Sequence, residues 1–102
     1  MTRREALAWS PEAEQDLIDI WRSGASTFSP EQASRHLRSI DERCRALLRR
    51  SSPGRTRNEL RPGMRSVLVP PHVIFFRMTE ARVEIVRVLH ERRDLGAIFR
   101  LD

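Results

Sequence analysis

Lysine and tyrosine are absent from this chain of 102 residues, and cysteine occurs once. All 19 basic side chains are therefore arginine. A lone cysteine forms no intramolecular disulfide, and without partners at metal-ligand spacing it indicates neither a metal site nor another cofactor. Cys44 lies on the apolar face of a predicted helix, so we expect a small buried side chain there.

Long apolar runs are also lacking. A membrane-spanning helix needs about 20 consecutive apolar residues, and nothing in the sequence approaches that length. The first ten residues, MTRREALAWS, do not contain the apolar centre of a signal peptide. We therefore expect a cytoplasmic protein without membrane association, folded as a single domain over residues 1–102.

Acidic residues are fewer than basic ones. The chain has 14 acidic residues against 19 basic ones, which gives a formal net charge of +5. A basic surface attracts anions, so nucleic acids and acidic proteins are the partner classes that the composition favours.

Strand patterns dominate the second half of the chain. Apolar runs at Arg65–Val69, Val73–Met78 and Val83–Leu89 are rich in Val, Ile and Phe, which is typical of strands. Pro70-Pro71 fits a hairpin corner, because proline cannot donate a backbone hydrogen bond within a sheet. Together with an N-terminal edge strand at Glu5–Trp9, these runs predict a sheet of three to four antiparallel strands.

Helical patterns fill the first half. Ser10-Pro11-Glu12 is a strong helix start, and Gly24 is the predicted end of that helix. A second start at Ser29-Pro30-Glu31-Gln32 opens an amphipathic helix to about Arg50. The short break predicts an antiparallel helical hairpin packed on the sheet, and Leu95–Asp102 suggests a short C-terminal helix. The expected fold class is α+β.

The six aromatic residues are mostly expected in the core. Phe75 and Phe76 should face opposite sides of the sheet, because neighbouring side chains on a strand alternate. One of the two rings therefore belongs to the face without the helical hairpin. A helix of a partner protein or the chain's own tail, with Leu95, Ile98 and Phe99, is expected to dock there.

Four segments in order resemble one protein family. They read W-S-P-E-A at Trp9–Ala13, G-R-T-R-N-E-L-R-P-G-M-R-S at Gly54–Ser66, H-V-I-F-F-R at His72–Arg77 and V-E-I-V-R-V-L-H-E-R-R-D at Val83–Asp94. In this order and architecture they resemble the ParE branch of the RelE/ParE toxin superfamily. The resemblance covers residues 6 to 95, nearly the whole chain.

The resemblance implies a type II toxin made together with a cognate antitoxin. That partner is expected to be ParD-like, of the ribbon-helix-helix class, and to form a toxin–antitoxin hetero-oligomer. ParE-branch toxins inhibit DNA gyrase, whereas RelE-branch toxins of the same fold cut mRNA on the ribosome. Because a fold does not determine an activity, both remain open, with growth inhibition through gyrase as the main expectation and a ribosome-dependent mRNA interferase as the alternative.

The residue types argue against an enzyme. Cleavage of RNA needs a base, an acid and cations around the phosphate, and RelE-branch toxins supply these with lysine, arginine and often a C-terminal tyrosine. This chain lacks lysine and tyrosine, and the pKa of arginine is too high for an ordinary base. No catalytic residue is therefore predicted. A nuclease in this chain would use His90, Arg92 and Arg65, while the structural alternative is that His90 caps the sheet.

Arginines are the main candidates for binding a target or an antitoxin. Arg77 and Arg87 lie inside strands, so each should be at an edge, on an uncovered face, or paired with Glu59 or Asp94. His72, after the proline corner, is expected to be exposed. The binding candidates are Arg55, Arg57, Arg61, Arg65, Arg77, Arg87, His90, Arg92 and Arg93.

Overall fold

The computed structural model describes residues 6–49 and 54–100. Its elements in chain order are β1 (Ala6–Trp9), α1 (Pro11–Thr27), α2 (Pro30–Ala46), β2 (Arg55–Thr56), β3 (Arg65–Val69), β4 (His72–Met78), β5 (Arg82–His90) and α3 (Leu95–Ile98). A short 3₁₀ turn, Leu47–Arg49, extends α2. In these two ranges, no helix combines the length and apolar character that crossing a membrane requires.

The sheet has five strands in the order β1-β5-β4-β3-β2. The N-terminal strand, the helical hairpin and the short C-terminal helix are confirmed. The sheet differs from the expected three or four antiparallel strands, because β1 runs parallel to β5 and the connector adds β2. Parallel strands require a long crossover connection, and the chain from β1 to β5 passes through the helical hairpin and then through β2, β3 and β4.

Serine caps begin both long helices. The Ser10 hydroxyl accepts a hydrogen bond from the Ala13 amide at 2.9 Å, and the Ser29 hydroxyl accepts one from Gln32 at 3.1 Å. The predicted end of α1 at Gly24 is wrong, since the helix continues to Thr27. A Cβ at position 24 would lie only 3.2 Å from the Ala33 Cβ, so this glycine allows α1 and α2 to pack closely.

Two apolar cores lie on the two faces of the sheet, and Phe76 and Phe75 belong to different ones, as alternation predicts. The helix-facing core contains Ala13, Ile40, Cys44, Leu47, Val67, Ile74, Phe76, Val83, Ile85 and Val88. The tail-facing core contains Leu60, Met64, Phe75, Leu89 and Phe99, with Leu95 and Ile98 packed beside it. The chain's own connector and tail therefore cover the second face.

Three side chains test the expected burial. Cys44 is fully buried as predicted, and burial raises the pKa of its thiol to about 12, which makes it an apolar packing group. Phe28 is 73% exposed rather than part of the core, because it follows α1 at the turn between the helices. His72 is partly buried rather than exposed, because α2 covers it.

Candidate functional site

Two arginines and two phenylalanines form a continuous row on the tail-facing side. The Arg57 Cζ lies 5.5 Å from the centre of the Phe75 ring, and the Arg61 Cζ lies 5.2 Å from the centre of the Phe99 ring. The two rings meet edge to face at 5.3 Å. We call this set, Arg57, Phe75, Phe99 and Arg61, the arginine–aromatic row. Each cation–π contact is worth about 0.5–1 kcal/mol and holds a guanidinium against the face of a ring.

The connector positions Arg57 through backbone and side-chain contacts. The Arg57 amide donates to the Met64 carbonyl at 2.7 Å, and its Nε donates to Glu59 at 2.7 Å. This hydrogen bond from Arg57 holds the pKa of the exposed Glu59 carboxyl below its usual range. Arg57 Nη1 also lies 3.4 Å from the Ser66 hydroxyl. Arg57 is thus tied to its surroundings, whereas Arg61 is exposed.

Gly54 allows the connector to lie close to the sheet. Its φ of +76° belongs to the left-handed region that favours glycine. A Cβ there would be 2.6 Å from the Ser66 carbonyl oxygen and 3.1 Å from the Phe76 ring. Strand β2, which leads directly into Arg57, depends on this close approach.

Arg87 has a buried acidic partner, here called the Asp16–Arg87 clamp. Its Nε and Nη2 donate to the two Asp16 carboxylate oxygens, both at 2.8 Å. Asp16, only 8% exposed, also accepts from the Val88 amide at 2.9 Å. The hydrogen bond to Asp16 raises the pKa of Arg87 further. The expected partners of Arg87, Glu59 and Asp94, are therefore wrong, because Glu59 bonds Arg57 and Asp94 caps α3.

The clamp lies at a β-bulge in β5. Phe76 is paired with Ile85 and Phe75 with Arg87, so Val86 is an additional residue in the ladder. Strand β1 ends opposite Ile85, and Ser10 continues the contacts beyond it. The Ser10 amide donates to the Ile85 carbonyl at 3.0 Å, and its hydroxyl donates to the Val86 carbonyl at 2.7 Å. Ser10, at the start of α1, therefore forms hydrogen bonds with carbonyl groups on the edge of β5 beyond the end of β1.

All three histidines of the chain meet on the opposite, helix-facing side. His36 Nε2 and His72 Nδ1 lie 2.8 Å apart, and the His72 and His90 rings meet edge to face at 5.6 Å. We call these three residues the histidine cluster. Burial, with the neighbouring His36 and His90, lowers the pKa of His72 to about 4, and burial also lowers the pKa of His36. His36 and His72 are therefore neutral near pH 7 and share one hydrogen bond.

His90 makes its hydrogen bond within its own turn. Its Nδ1 accepts from the Arg92 amide at 3.1 Å, so this side-chain hydrogen bond is not the expected one to a neighbouring strand or the tail, although the ring packs against His72 of β4. Arg65 is remote from this pair. Its partner on β4 is Phe76, whereas the partner of His90 is His72, four residues and so about 13 Å further along the strand. The structure places Arg92 beside His90 but does not bring Arg65 to them.

The remaining candidates lie on three strands and in the turn after β5. Arg77 is exposed, with its Nη2 3.7 Å from Glu84. Arg55, Arg92 and Arg93 are exposed, and Arg65 is half-buried. Within residues 6–49 and 54–100, no group of three or more His, Cys, Asp or Glu side chains is arranged to hold a metal ion.

The sequence patterns missed Asp16, which was placed away from the apolar stripe of α1. Position 16 is three residues after Ala13 and four before Ile20, and this spacing puts it on their face of the helix. An acidic residue on that face, together with an arginine inside a strand, was the available signal. Contacts between separate elements, such as His36 with His72, had no signal in the spacing.

Comparison with known proteins identifies the class. The fold of this chain is similar to that of a solved structure described as "Chromosomal ParDE TA system from P. aeruginosa". The match has a TM-score of 0.72 and 25% identity, and it covers 83% of this chain and 94% of that one. The fold is thus that of a ParE-type toxin.

Sequence comparison agrees with the structural match. The model of the ParE toxin of type II toxin–antitoxin systems matches residues 7–95. Toxin ParE1 of Mycobacterium tuberculosis is 33% identical over 87 residues, which cover 84% of this chain and 89% of that protein. Toxin ParE1 of Caulobacter vibrioides is 34% identical over 88 residues, covering 86% and 91%. The chain belongs to the ParE toxin family.

Proposed function

We propose that this chain is a toxin that arrests growth by binding DNA gyrase in the cytoplasm. The observation that carries the proposal is the arginine–aromatic row, where the exposed Arg61 and the tethered Arg57 are held on buried rings. The histidine cluster lies on the other face of the sheet, so no imidazole lies beside these cations to transfer a proton. This arrangement suits recognition of an anionic surface better than cleavage of RNA.

The test is a gyrase supercoiling assay with the purified full-length chain. The native chain should inhibit supercoiling, and Arg57→Glu with Arg61→Glu should raise the inhibitory concentration roughly tenfold or more, because each removes a cation from the contact. Arg35→Glu with Arg38→Glu is the matched control. It changes the net charge equally on the exposed side of α2 and should inhibit like the native chain. Unchanged supercoiling with the native chain would remove the gyrase proposal.

A cognate antitoxin is the second part of the proposal. A ParD-like protein of the ribbon-helix-helix class would bind the toxin in a hetero-oligomer and neutralise it. Family membership and the net charge of +5 support a partner with an acidic binding segment. Expression of this chain alone should stop growth, and co-expression with a ribbon-helix-helix protein encoded directly upstream should restore it. Normal growth without any partner would contradict this part.

One contact favours the alternative, a ribosome-dependent mRNA interferase. His90, half-buried at the end of β5, accepts a hydrogen bond from the backbone amide of Arg92, so an imidazole lies within two residues of an exposed arginine. Induction of the chain should then cut mRNA within codons, and His90→Ala should abolish the cuts. Intact mRNA during growth arrest would eliminate this alternative and leave the gyrase proposal in place.

A further inference from the structure

A cavity of about 430 Å³ lies where the start of α1, the bulge of β5 and the C-terminal turn meet. Residues from four separate parts of the chain line it. They include Ser10, Glu12, Arg61, Arg87, Phe99 and Arg100. The cavity is continuous with the arginine–aromatic row, because Arg61 and Phe99 belong to both.

Two of the three guanidinium groups are already oriented. Arg87 is held by both oxygens of Asp16, and Arg61 rests on the Phe99 ring. Groups fixed before a ligand arrives lose little side-chain freedom on binding, which strengthens the interaction. Two of the three cations of the cavity therefore have set positions before a ligand binds.

The third guanidinium belongs to a residue in an unusual conformation. Arg100 follows α3 with a φ of 53°, in the left-handed region where helices commonly end on glycine. An arginine pays a steric penalty there that glycine would avoid. Its place in the cavity wall supplies a reason for a long basic side chain at that position.

The cavity has more positive than negative charge. Glu12 is the one carboxylate in its lining, and the nearby Asp16 is already bound to Arg87. Among residues 6–49 and 54–100, neither Arg61 nor Arg100 forms an ion pair. The arrangement therefore favours an anionic ligand.

The geometry points to a site for an acidic side chain of a bound peptide, a glutamate or aspartate flanked by an apolar residue. Guanidinium groups bind carboxylates through paired hydrogen bonds, and Val86, Ile98 and Phe99 offer apolar contact beside them. Glu12 in the wall disfavours a ligand with several charges, so a nucleic-acid backbone fits less well. The inference rests on the proposed function in one respect, that the peptide belongs to the antitoxin.

Titration of the full-length chain with terminally blocked pentapeptides tests the site. The probe has the sequence Ala-Leu-Glu-Leu-Ala, and its counterpart carries glutamine in place of glutamate. The Nε–H NMR signals of Arg61 and Arg100 should shift and saturate with the glutamate peptide, and the glutamine peptide should bind about tenfold more weakly, because it loses charge-assisted hydrogen bonds. A thymidine trinucleotide should not compete with the glutamate peptide.

Variants show whether the cavity is responsible. Arg61→Gln and Arg100→Gln should each weaken the glutamate peptide severalfold. Arg35→Gln, which removes an exposed arginine on α2, should leave its binding unchanged. Arg87 stays intact, because its removal would break the clamp. Thermal unfolding confirms that each variant is folded.

Three results would overturn the site. They are equal binding of both peptides, stronger binding of the trinucleotide, or unchanged binding in folded Arg61→Gln and Arg100→Gln. Because the isolated chain is titrated, these results do not depend on growth arrest. If the peptide binds but no antitoxin neutralises the chain in cells, the antitoxin part of the proposed function fails and the anion-binding site remains.

Discussion

Arg87 and Arg61 line the same cavity, but their guanidinium groups have different surroundings. Arg87 is bound by both oxygens of the buried Asp16, whereas Arg61 lies on the Phe99 ring and is exposed. A buried charge without its partner is strongly destabilising, so the stability of the fold depends on the Asp16–Arg87 clamp. An arginine supported only by a ring keeps its hydrogen-bond donors available for another molecule.

The two regions should therefore respond differently to substitution. The clamp joins α1 to the bulge of β5 and also satisfies the Val88 amide. The two arginines of the arginine–aromatic row lie over Phe75 and Phe99 of the tail-facing core without an equivalent connection. Loss of the clamp should affect stability first, and loss of the row's arginines should affect binding first.

The clamp is expected to give the largest effect on stability. Asp16→Ala would leave Arg87 without its carboxylate and the Val88 amide without its acceptor, which should lower the free energy of unfolding by about 3–5 kcal/mol. Asp41→Ala is the control. It breaks the exposed Asp41–Arg45 pair and should change stability by less than about 0.5 kcal/mol. Urea unfolding measures both, and equal losses would contradict the distinction.

Substitution of Gly54 tests the close approach of the connector to the sheet, from which the chain leads into Arg57. Gly54→Ala should lower the free energy of unfolding by about 2–4 kcal/mol, because the left-handed backbone and the Ser66 carbonyl both oppose a Cβ. Gly63→Ala has a similar φ of +79° but open space around it, so it should cost about 1 kcal/mol. If the two variants unfold at the same urea concentration, the close approach at Gly54 does not matter.

The histidine cluster, which lies between α2 and the sheet, predicts that the stability of the fold decreases at acidic pH. The folded-state pKa of His72 is lowered from 6.5 to about 4, so between these values the unfolded chain binds the proton more readily. Stability is therefore full above pH 6.5 and falls as the pH decreases toward 4. Partial exposure reduces the effect to roughly 2 kcal/mol.

His72→Gln isolates that contribution. Glutamine keeps a hydrogen-bonding group near His36 but does not titrate. The difference in unfolding free energy between pH 7 and pH 4 should be smaller in this variant than in the native chain. Identical pH dependence of the two chains would show that His72 is not responsible.

The arginine–aromatic row is expected to give the smallest change in stability. Arg57→Gln and Arg61→Gln should each reduce the free energy of unfolding by less than about 1 kcal/mol, since Arg61 loses one cation–π contact and Arg57 loses one together with its ion pair to the exposed Glu59. Chemical denaturation gives the values directly. A loss comparable to that of Asp16→Ala would mean that the two arginines, and not only the rings beneath them, are essential to the folding core.

Local patterns were sufficient to predict most of the architecture. Apolar alternation identified β3, β4 and β5, and the serine-proline starts identified both long helices. The two-residue strand β2 was missed, because it forms by pairing with β3 rather than by its own apolar pattern. Gly24 was misread for a related reason, since its role is contact with Ala33 on another helix.

The candidate surface was only partly predictable. The spacing of Arg57 and Arg61 indicated a basic segment, but the phenylalanine under each was set by tertiary contact. The partner of Arg87 is separated from it by 71 positions, so no local pattern could join them. Strict alternation along β5 also gives the wrong sheet face for the Arg87 side chain, because the extra residue at the bulge shifts the alternation by one.

Val86 also bears on how the chain tolerates insertions and deletions. With this residue excised, Ile85 would be followed directly by Arg87, and the pairs Phe76 with Ile85 and Phe75 with Arg87 would become consecutive. Val88 and Leu89 would stay on their present faces, since side chains alternate along a regular strand. Strand β5 thus has a point at which its length can change by one residue while the composition of the helix-facing core is conserved.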